Sequence, residues 1–200
     1  MSDRRHAARH HKAPAQSGVN DQLTMSARGR ANLVSREGLK DHYYDDPVGN
    51  CTYSAGVLAH LGHCTREEFR TKLSADDLAK PLDARIREAE RAVHRNVKHQ
   101  QLTQEQFDAL VSFVYNVGAT GARRVFDDID AGKFDMAAFR MTEHIRAAVR
   151  GEDGSPQLDK NGKVVTVVLP GLISRRVAES APFRHVDVDS SPKLDVRLTN

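Results

Sequence analysis

A chain of 200 residues suits one domain with at most a small extra lobe, and 39% hydrophobic content permits a modest core built without tryptophan. No apolar run approaches the roughly 18 residues of a membrane span, so stable membrane insertion is not expected. With 30 basic and 27 acidic residues mixed along the chain, the net charge is +3. There is no Lys/Arg block and no basic strand interleaved with aromatics, so no nucleic-acid partner is expected. Mild basicity is compatible with an anionic polymer such as cell-wall glycan without selecting one.

The first 24 residues hold four basic side chains and three histidines but no apolar segment. As written they are neither a secretory signal nor a membrane anchor. They read as a disordered tail, or as a basic tag for an anionic surface. Ser26 can cap a helix running to about Glu37, with Ala27, Ala31, Val34 and Gly38 along one face and Gly38 as terminator. Residues 40–62 read as a small irregular β lobe: Asp46-Pro47 and Val48-Gly49 are turn signals, and Thr52-Tyr53 favours extended backbone. Thr65-Arg66-Glu67-Glu68 is a capping box expected to start a helix through about Leu78, and Pro81 is expected to end that helix or open the next. Ile86, Ala89 or Glu90, Val93 and Val97 then recur at helical spacing, in a helix expected to cross the middle of the molecule or join its halves.

Leu102-Thr103-Gln104-Glu105-Gln106 repeats the box. Phe107, Leu110, Val111 and Val114 follow at i, i+3, i+4 and i+7, and Gly118 closes what is the most apolar helix and the expected hydrophobic centre. Residues 121–130 suggest a short helix, and Asp135 opens another with Phe139, Ile145 and Val149 inward. Helical patterning breaks over 152–168. Asn161-Gly162 before Val164-Val165-Thr166-Val167-Val168 predicts an inserted β-hairpin. Pro170 and Gly171 lead into a final helix around Ser174 to Ser180, and 186–200 read as a loose strand or tail.

Cys51 and Cys64 flank a 12-residue segment. A disulfide there would contribute about 2–4 kcal/mol and imply an oxidising compartment. Two free thiols fit the sequence equally well. Metal ligation would draw on His60, His63 and Cys64 beside Cys51, but the spacing matches no standard zinc pattern.

The chemistry-bearing residues cluster early. Glu37 sits in the last turn of its helix, a position suited to a general acid that keeps its proton until it is needed. Asp46 lies nine residues on, past a chain reversal, and is expected to stay solvated and ionised. Thr52 has a hydroxyl that both donates and accepts, so it can share with Asp46 the holding of a water molecule. Two carboxylates facing each other across a cleft are what glycosidic cleavage requires. If Glu37 protonates the leaving oxygen while Asp46 and Thr52 activate water on the other face, the outcome is inversion, with carboxyl groups about 6.5–9.5 Å apart. Each residue also has an ordinary reading: a surface glutamate near Arg36 and Lys40, turn chemistry before Pro47, and a strand former.

Ser35-Arg36-Glu37-Gly38-Leu39-Lys40, then Tyr44, Asp46-Pro47-Val48-Gly49 and Thr52, resemble the active-site stretch of the phage-type (T4 lysozyme-like) lysozyme family, with its Glu, Asp and Thr in register. The segments Leu102 to Phe113 and Tyr115-Asn116-Val117-Gly118 resemble that family's central helix, and Gly171-Leu172, Arg175-Arg176 and Glu179 its closing helix. The likeness covers about residues 25–185. It implies a lysozyme-like α+β fold, a mainly helical lobe and a small β-containing lobe with the cleft between them. It also implies an endo-acting muramidase that hydrolyses the β-1,4 bond between N-acetylmuramic acid and N-acetylglucosamine in peptidoglycan. By position, Glu37 becomes the acid and Asp46 with Thr52 the water-handling pair. Arg175 or Arg176 is expected to approach Glu37 and fix its geometry. Tyr44, His63 and Asn116 are candidates to line the cleft, with core packing the plainer reading for Tyr44 and a helix-end hydrogen bond that for Asn116.

The chain departs from the family after Thr52. Many relatives read Ile-Gly-Tyr-Gly-His there, whereas this chain runs Tyr53 to Cys64 in what reads as a longer loop. Late-helix tryptophans are absent, with Phe139 and Val149 expected to fill that space. No metal or organic cofactor is expected. The rival reading is a catalytically silent peptidoglycan-binding protein with the same fold, against which the intact Glu37, Asp46 and Thr52 set argues. With no export segment visible, the expectation is synthesis in the bacterial cytoplasm and action on the wall in the periplasm, reached through a holin or a secretion machine. A monomer is expected. An inhibitor or immunity protein is left open, as is the choice between phage-driven lysis and an antibacterial effector.

Overall fold

The computed structural model describes residues 18–46, 49–149, 151 and 155–185. The expected tails over 1–17 and 186–200 lie outside these residues, as do Pro47 and Val48 and residues 152–154 of the insert. Residue Asn20, inside the stretch that reads as tail, is buried; its amide donates to the carbonyls of Val97 (3.1 Å) and Gln100 (2.9 Å) and accepts from the Leu102 N–H (2.9 Å). One short amide thus satisfies three backbone groups where two helices are joined, and such burial is stable only because all three bonds are made.

Helix α1 spans Ala27–Glu37, with Ser26 as N-cap receiving the Gly29 N–H at 3.0 Å and Gly38 as left-handed C-cap at φ 60°. Its buried residue is Leu33, whereas Ala27 and Ala31, expected to face inward, are not buried. Asp108 sets this rotation: it accepts from the Ser26 N–H (2.9 Å) and hydroxyl, and a Cβ at Gly29 would stand 2.6 Å from its Cγ. Gly38 turns the chain into a three-stranded antiparallel sheet ordered β1 (Lys40–Asp45), β2 (Cys51–Ser54) and β3 (Val57–His60). The central strand buries Cys51, Thr52 and Ser54. Residues after Thr52, expected as a longer loop, instead form the β2–β3 hairpin.

The Thr65–Glu68 capping box forms, but it starts only a 3-10 turn, Glu68–Arg70. A second box, Ser74–Asp77, starts α2, which runs unbroken from Ala75 to Asn96 through Pro81. A proline inside a helix costs about 3 kcal/mol. That cost is outweighed by the face α2 lays on α3: Leu82, Ile86, Ala89, Ala92 and Val93 are all buried, and each large aliphatic contributes roughly 1.5–3 kcal/mol.

Helix α3 (Gln104–Gly121) carries the expected Thr103–Gln106 box and buries every residue from Leu110 to Tyr115, with Phe107 below them. Over 110–115 it is buried on every face rather than along one stripe, as the middle of a central helix is. Gly118, at φ 74° and ψ 164°, breaks its regular backbone. Helix α4 (Arg123–Asp130) buries Val125, Phe126 and Ile129. Helix α5 (Phe134–Glu143) buries Ala137, Ala138 and Met141, so Phe139, expected to face inward, is 60% exposed, and Ile145 and Val149 fall beyond the helix. The aromatic buried beside this helix is Phe183, stacked on Phe134 at 6.3 Å. Strands β4 (Arg146–Ala148) and β5 (Thr166–Val168) pair antiparallel. Asn161-Gly162 lies in the turn joining their extension, with Gly162 at φ 74° donating to the Asp159 carbonyl (3.0 Å). This is a three-residue loop rather than the two-residue turn Asn-Gly favours, since Asp159 Oδ1 also collects the N–H groups of Asn161 and Lys163. Helix α6 (Pro170–Ser180) begins at Pro170, four residues before the expected start, where a proline loses no helical bond.

Candidate active site

Glu37 ends α1, and its side chain is 17% exposed. Arg175 of α6 reaches across to it, Nη1 to Oε1 at 2.8 Å. Of the two arginines named as candidates, therefore, Arg175 faces Glu37 and Arg176 does not. The Arg175 guanidinium also donates to Glu179 Oε1 (2.9 Å) and to the Ser112 carbonyl (3.2 Å), and the Ser112 hydroxyl donates to the same Glu179 oxygen at 2.7 Å. Arg176, 1% exposed, turns the other way: it donates to Glu179 Oε2, to Asn116 Oδ1 and to the His144 carbonyl (2.9 Å), over the Phe113 ring. With Glu37 ionised, two guanidinium and two carboxylate groups balance; with Glu37 protonated, as a general acid is, the cluster carries one net positive charge. Burial opposes the Arg175 charge, but Glu179 and then Glu37 outweigh it and push the guanidinium above its ordinary value. Burial dominates at Arg176 and pulls it down. Every fork of Arg175 is engaged, so Glu37 Oε1 is fixed, while no hydrogen bond to Oε2 is made among the described residues.

Asp46 stands beyond the end of β1 in a tight reversal. Its N–H donates to the Asn50 carbonyl (2.9 Å), its carbonyl accepts from Gly49 (3.0 Å), and its Oδ1 accepts from the Asn50 N–H (2.9 Å). Gly49 takes φ 81°, and a side chain there would also crowd His63. The Asn50 side chain accepts from Gly62, Cys51 N–H donates to the Gly62 carbonyl (2.7 Å), and Cys51 is joined to Cys64 by a disulfide. Asp45 completes the tie by accepting from the Cys64 N–H (2.7 Å) and pairing with His63 Nδ1 (2.9 Å). These two bonds, the Cys64 one first, hold the Asp45 carboxyl below its ordinary value. Thr52, 4% exposed, sits opposite Tyr44 in the ladder and donates its hydroxyl to the Asn50 carbonyl at 3.2 Å.

The remaining candidates take supporting places. Tyr44 is half-buried with Lys40 Nζ 3.5 Å from its ring centre. His63 is largely exposed and braces Asp45. Asn116 is exposed and holds Arg176. Glu179 and Ser112 do not stand out in the sequence as site residues, although their helical offsets from Arg175 and from Tyr115 are visible there. Tyr115 also escapes a sequence reading: its hydroxyl is the one buried side-chain polar atom without a partner among the described residues, with Arg85 over the ring at 4.3 Å. Burial pushes that phenol upward, against the nearby Arg85 charge. Arg85 also donates to the Ala55 carbonyl (3.4 Å), so it joins α2 to the small sheet.

Helices enclosing a charged pocket on one side and a small antiparallel sheet on the other define a lysozyme-like α+β protein. Residues 34–179 match the Phage lysozyme family, and the chain belongs to that family. It is 27% identical to the SAR-endolysin of Haemophilus phage HP1 (strain HP1c1) over 167 residues, 82% of each chain. It is 26% identical to the endolysin of Acyrthosiphon pisum secondary endosymbiont phage 1, covering 80% of this chain and 98% of that one. Among solved structures, the muramidase domain of SpmX from Asticaccaulis excentricus aligns at TM-score 0.62 and 28% identity, over 82% of this chain and all of that one. The endolysin from Escherichia coli O157:H7 phage FAHEc1 aligns at TM-score 0.63 and 26% identity, over 85% and 96%. The function is therefore of the endolysin and muramidase type.

Proposed function

We propose that this protein is an endo-acting muramidase that hydrolyses the β-1,4 bond between N-acetylmuramic acid and N-acetylglucosamine in peptidoglycan, with inversion. The observation that carries the reading is the state of Glu37: one carboxyl oxygen is fixed by Arg175, and the other is unengaged at a partly exposed helix end. A group so held can place its proton on a leaving oxygen without first reorganising. Asp46 and Thr52 meet at Asn50, whose N–H binds one and whose carbonyl binds the other. That shared residue supports their joint handling of the attacking water, with Thr52 able to turn its hydroxyl from the carbonyl to the water. Water delivered opposite the acid in a single displacement gives inversion. In this reading the substrate is the glycan strand, met in the periplasm after delivery by other proteins; no helix among the described residues is long and apolar enough to cross a membrane.

The test is reducing-end analysis of muropeptides released from purified walls. N-acetylmuramic acid at new reducing ends supports the proposal. Anhydro-sugar ends, or peptide cleavage alone, would sink the hydrolytic assignment. No release at all, with retained binding to wall glycan, would instead support a silent binding protein.

A further inference from the structure

We propose that the protein in its reduced state binds a zinc-type divalent cation through Cys51, Cys64, His60 and Glu68, beside the turn that carries Asp46. The sequence pattern alone offers His63 for such a set; the structure turns His63 to Asp45 and brings Glu68 in its place. Cys51 and His60 are register partners on β2 and β3, and the 3-10 turn swings Glu68 beneath them. Ligand atoms of Cys51, His60 and Glu68 all lie within 4.8 Å of one another, and the Cys64 sulfur is bonded to that of Cys51. Donors around one tetrahedral zinc stand about 3.3–3.8 Å apart, given metal–ligand distances near 2.0–2.3 Å. Three of the four donors thus already stand together, and Cys64, outside that group, has to swing toward His60 and Glu68 as its bond to Cys51 opens.

The surroundings are also those of ligands. His60 Nδ1 lies 3.0 Å from the Leu61 carbonyl and Nε2 lies 3.0 Å from Glu68 Oε1, so both ring nitrogens face oxygen acceptors. A protonated ring donates to both and forms the His60–Glu68 ion pair; in the neutral ring that donates from Nδ1 to the carbonyl, the Nε2 lone pair faces the carboxylate, and a cation can take the place of the missing proton. The other Glu68 oxygen is oriented by the N–H (2.7 Å) and hydroxyl (2.8 Å) of Thr65. Cys51 is fully buried, which protects a bound thiolate. Two thiolates, an imidazole and a carboxylate select zinc or cobalt over magnesium or calcium, which take oxygen shells.

A dithiol reductant supplies two electrons and two protons, converting the disulfide to two thiols and leaving as its own disulfide. Each thiol then releases its proton to solvent as it binds the ion. A disulfide oxidant that takes up the two electrons and leaves as its dithiol re-forms the Cys51–Cys64 bond and expels the cation, so the same four residues would hold the small sheet under reducing and oxidising conditions by different bonds.

The test uses the full chain, reduced with a phosphine and titrated with cobalt(II), then displaced with zinc. Histidines such as His6, His10 and His11 can also hold these ions, so the readout is the thiolate-to-cobalt charge-transfer band. Reduced protein should show that band at one cobalt per chain, lose it to zinc, and show none when oxidised. His60→Ala and Glu68→Gln should each weaken binding beyond the roughly 10–100-fold typical of an outer-shell loss. A reduced chain that unfolds without metal but regains its far-UV spectrum with zinc supports the proposal equally. No band in the reduced protein, an equal band in both variants, or a reduced chain that stays unfolded with zinc overturns the proposal.

Discussion

The two candidate catalytic carboxylates are held by different physics. On the Glu37 side, three helices converge on a buried ionic group of Arg175, Arg176 and Glu179 with Glu37 at its partly exposed edge. On the Asp46 side, a short, partly buried turn is fixed by backbone hydrogen bonds, the Asn50 amide and a disulfide. Buried charge is rigid but intolerant of losing a member, because each removed partner leaves an uncompensated ion in low dielectric. Local backbone bonding tolerates single losses, since water replaces what an exposed group gives up. In the proposed mechanism, Glu37 should therefore depend on residues far along the chain, and Asp46 and Thr52 on their neighbours.

That contrast can be broken in order of expected effect. Glu37→Gln should lower turnover of purified walls by about 10²–10⁴-fold, the usual worth of a general acid, while circular dichroism shows the fold retained. Retained turnover would remove Glu37 from the chemistry. Glu179→Gln should cost about 3–5 kcal/mol in denaturant unfolding, because Arg175 and Arg176 both lose their buried counter-charge. It should reduce activity too, although Glu179 lies behind Arg175. A variant with wild-type stability would show that the cluster does not hold the acid.

Replacing Cys51 and Cys64 together by serine should cost about 2–4 kcal/mol. Its activity loss should come from a loosened Asp46 turn with an intact helical lobe, visible as faster amide exchange confined to the small sheet. The smallest effect is that of pH on Asp45. Its folded value lies below the unfolded one, so its contribution is present above the ordinary carboxylate range and is lost as pH falls through the lowered folded value. The Cys64 amide resonance should report that transition, and Asp45→Asn should abolish it.

What the sequence discloses is the local part. Capping boxes at Thr103 and Thr65 and the Gly38 terminator are all written within a few residues, and each forms, although the Thr65 box starts only a 3-10 turn. Expectation and structure part where distant packing decides the outcome. Pro81 looks like a stop because the partner that keeps α2 straight lies on α3. Phe139 looks like core if the helix is continued beyond Glu143; ending it there shifts the inward face to Ala137, Ala138 and Met141. The site divides likewise: Asp46, Asn50 and Thr52 are neighbours in sequence, whereas the choice of Arg175 over Arg176 depends on how α6 is rotated against α3.

The most direct test of two such sides flanking one sugar linkage is the configuration of the first product. Proton NMR of a soluble glycan-strand oligosaccharide, recorded faster than mutarotation, should show the α-anomer appearing first at the new reducing end. First appearance of the β-anomer would mean that water does not arrive opposite Glu37, and would contradict the account.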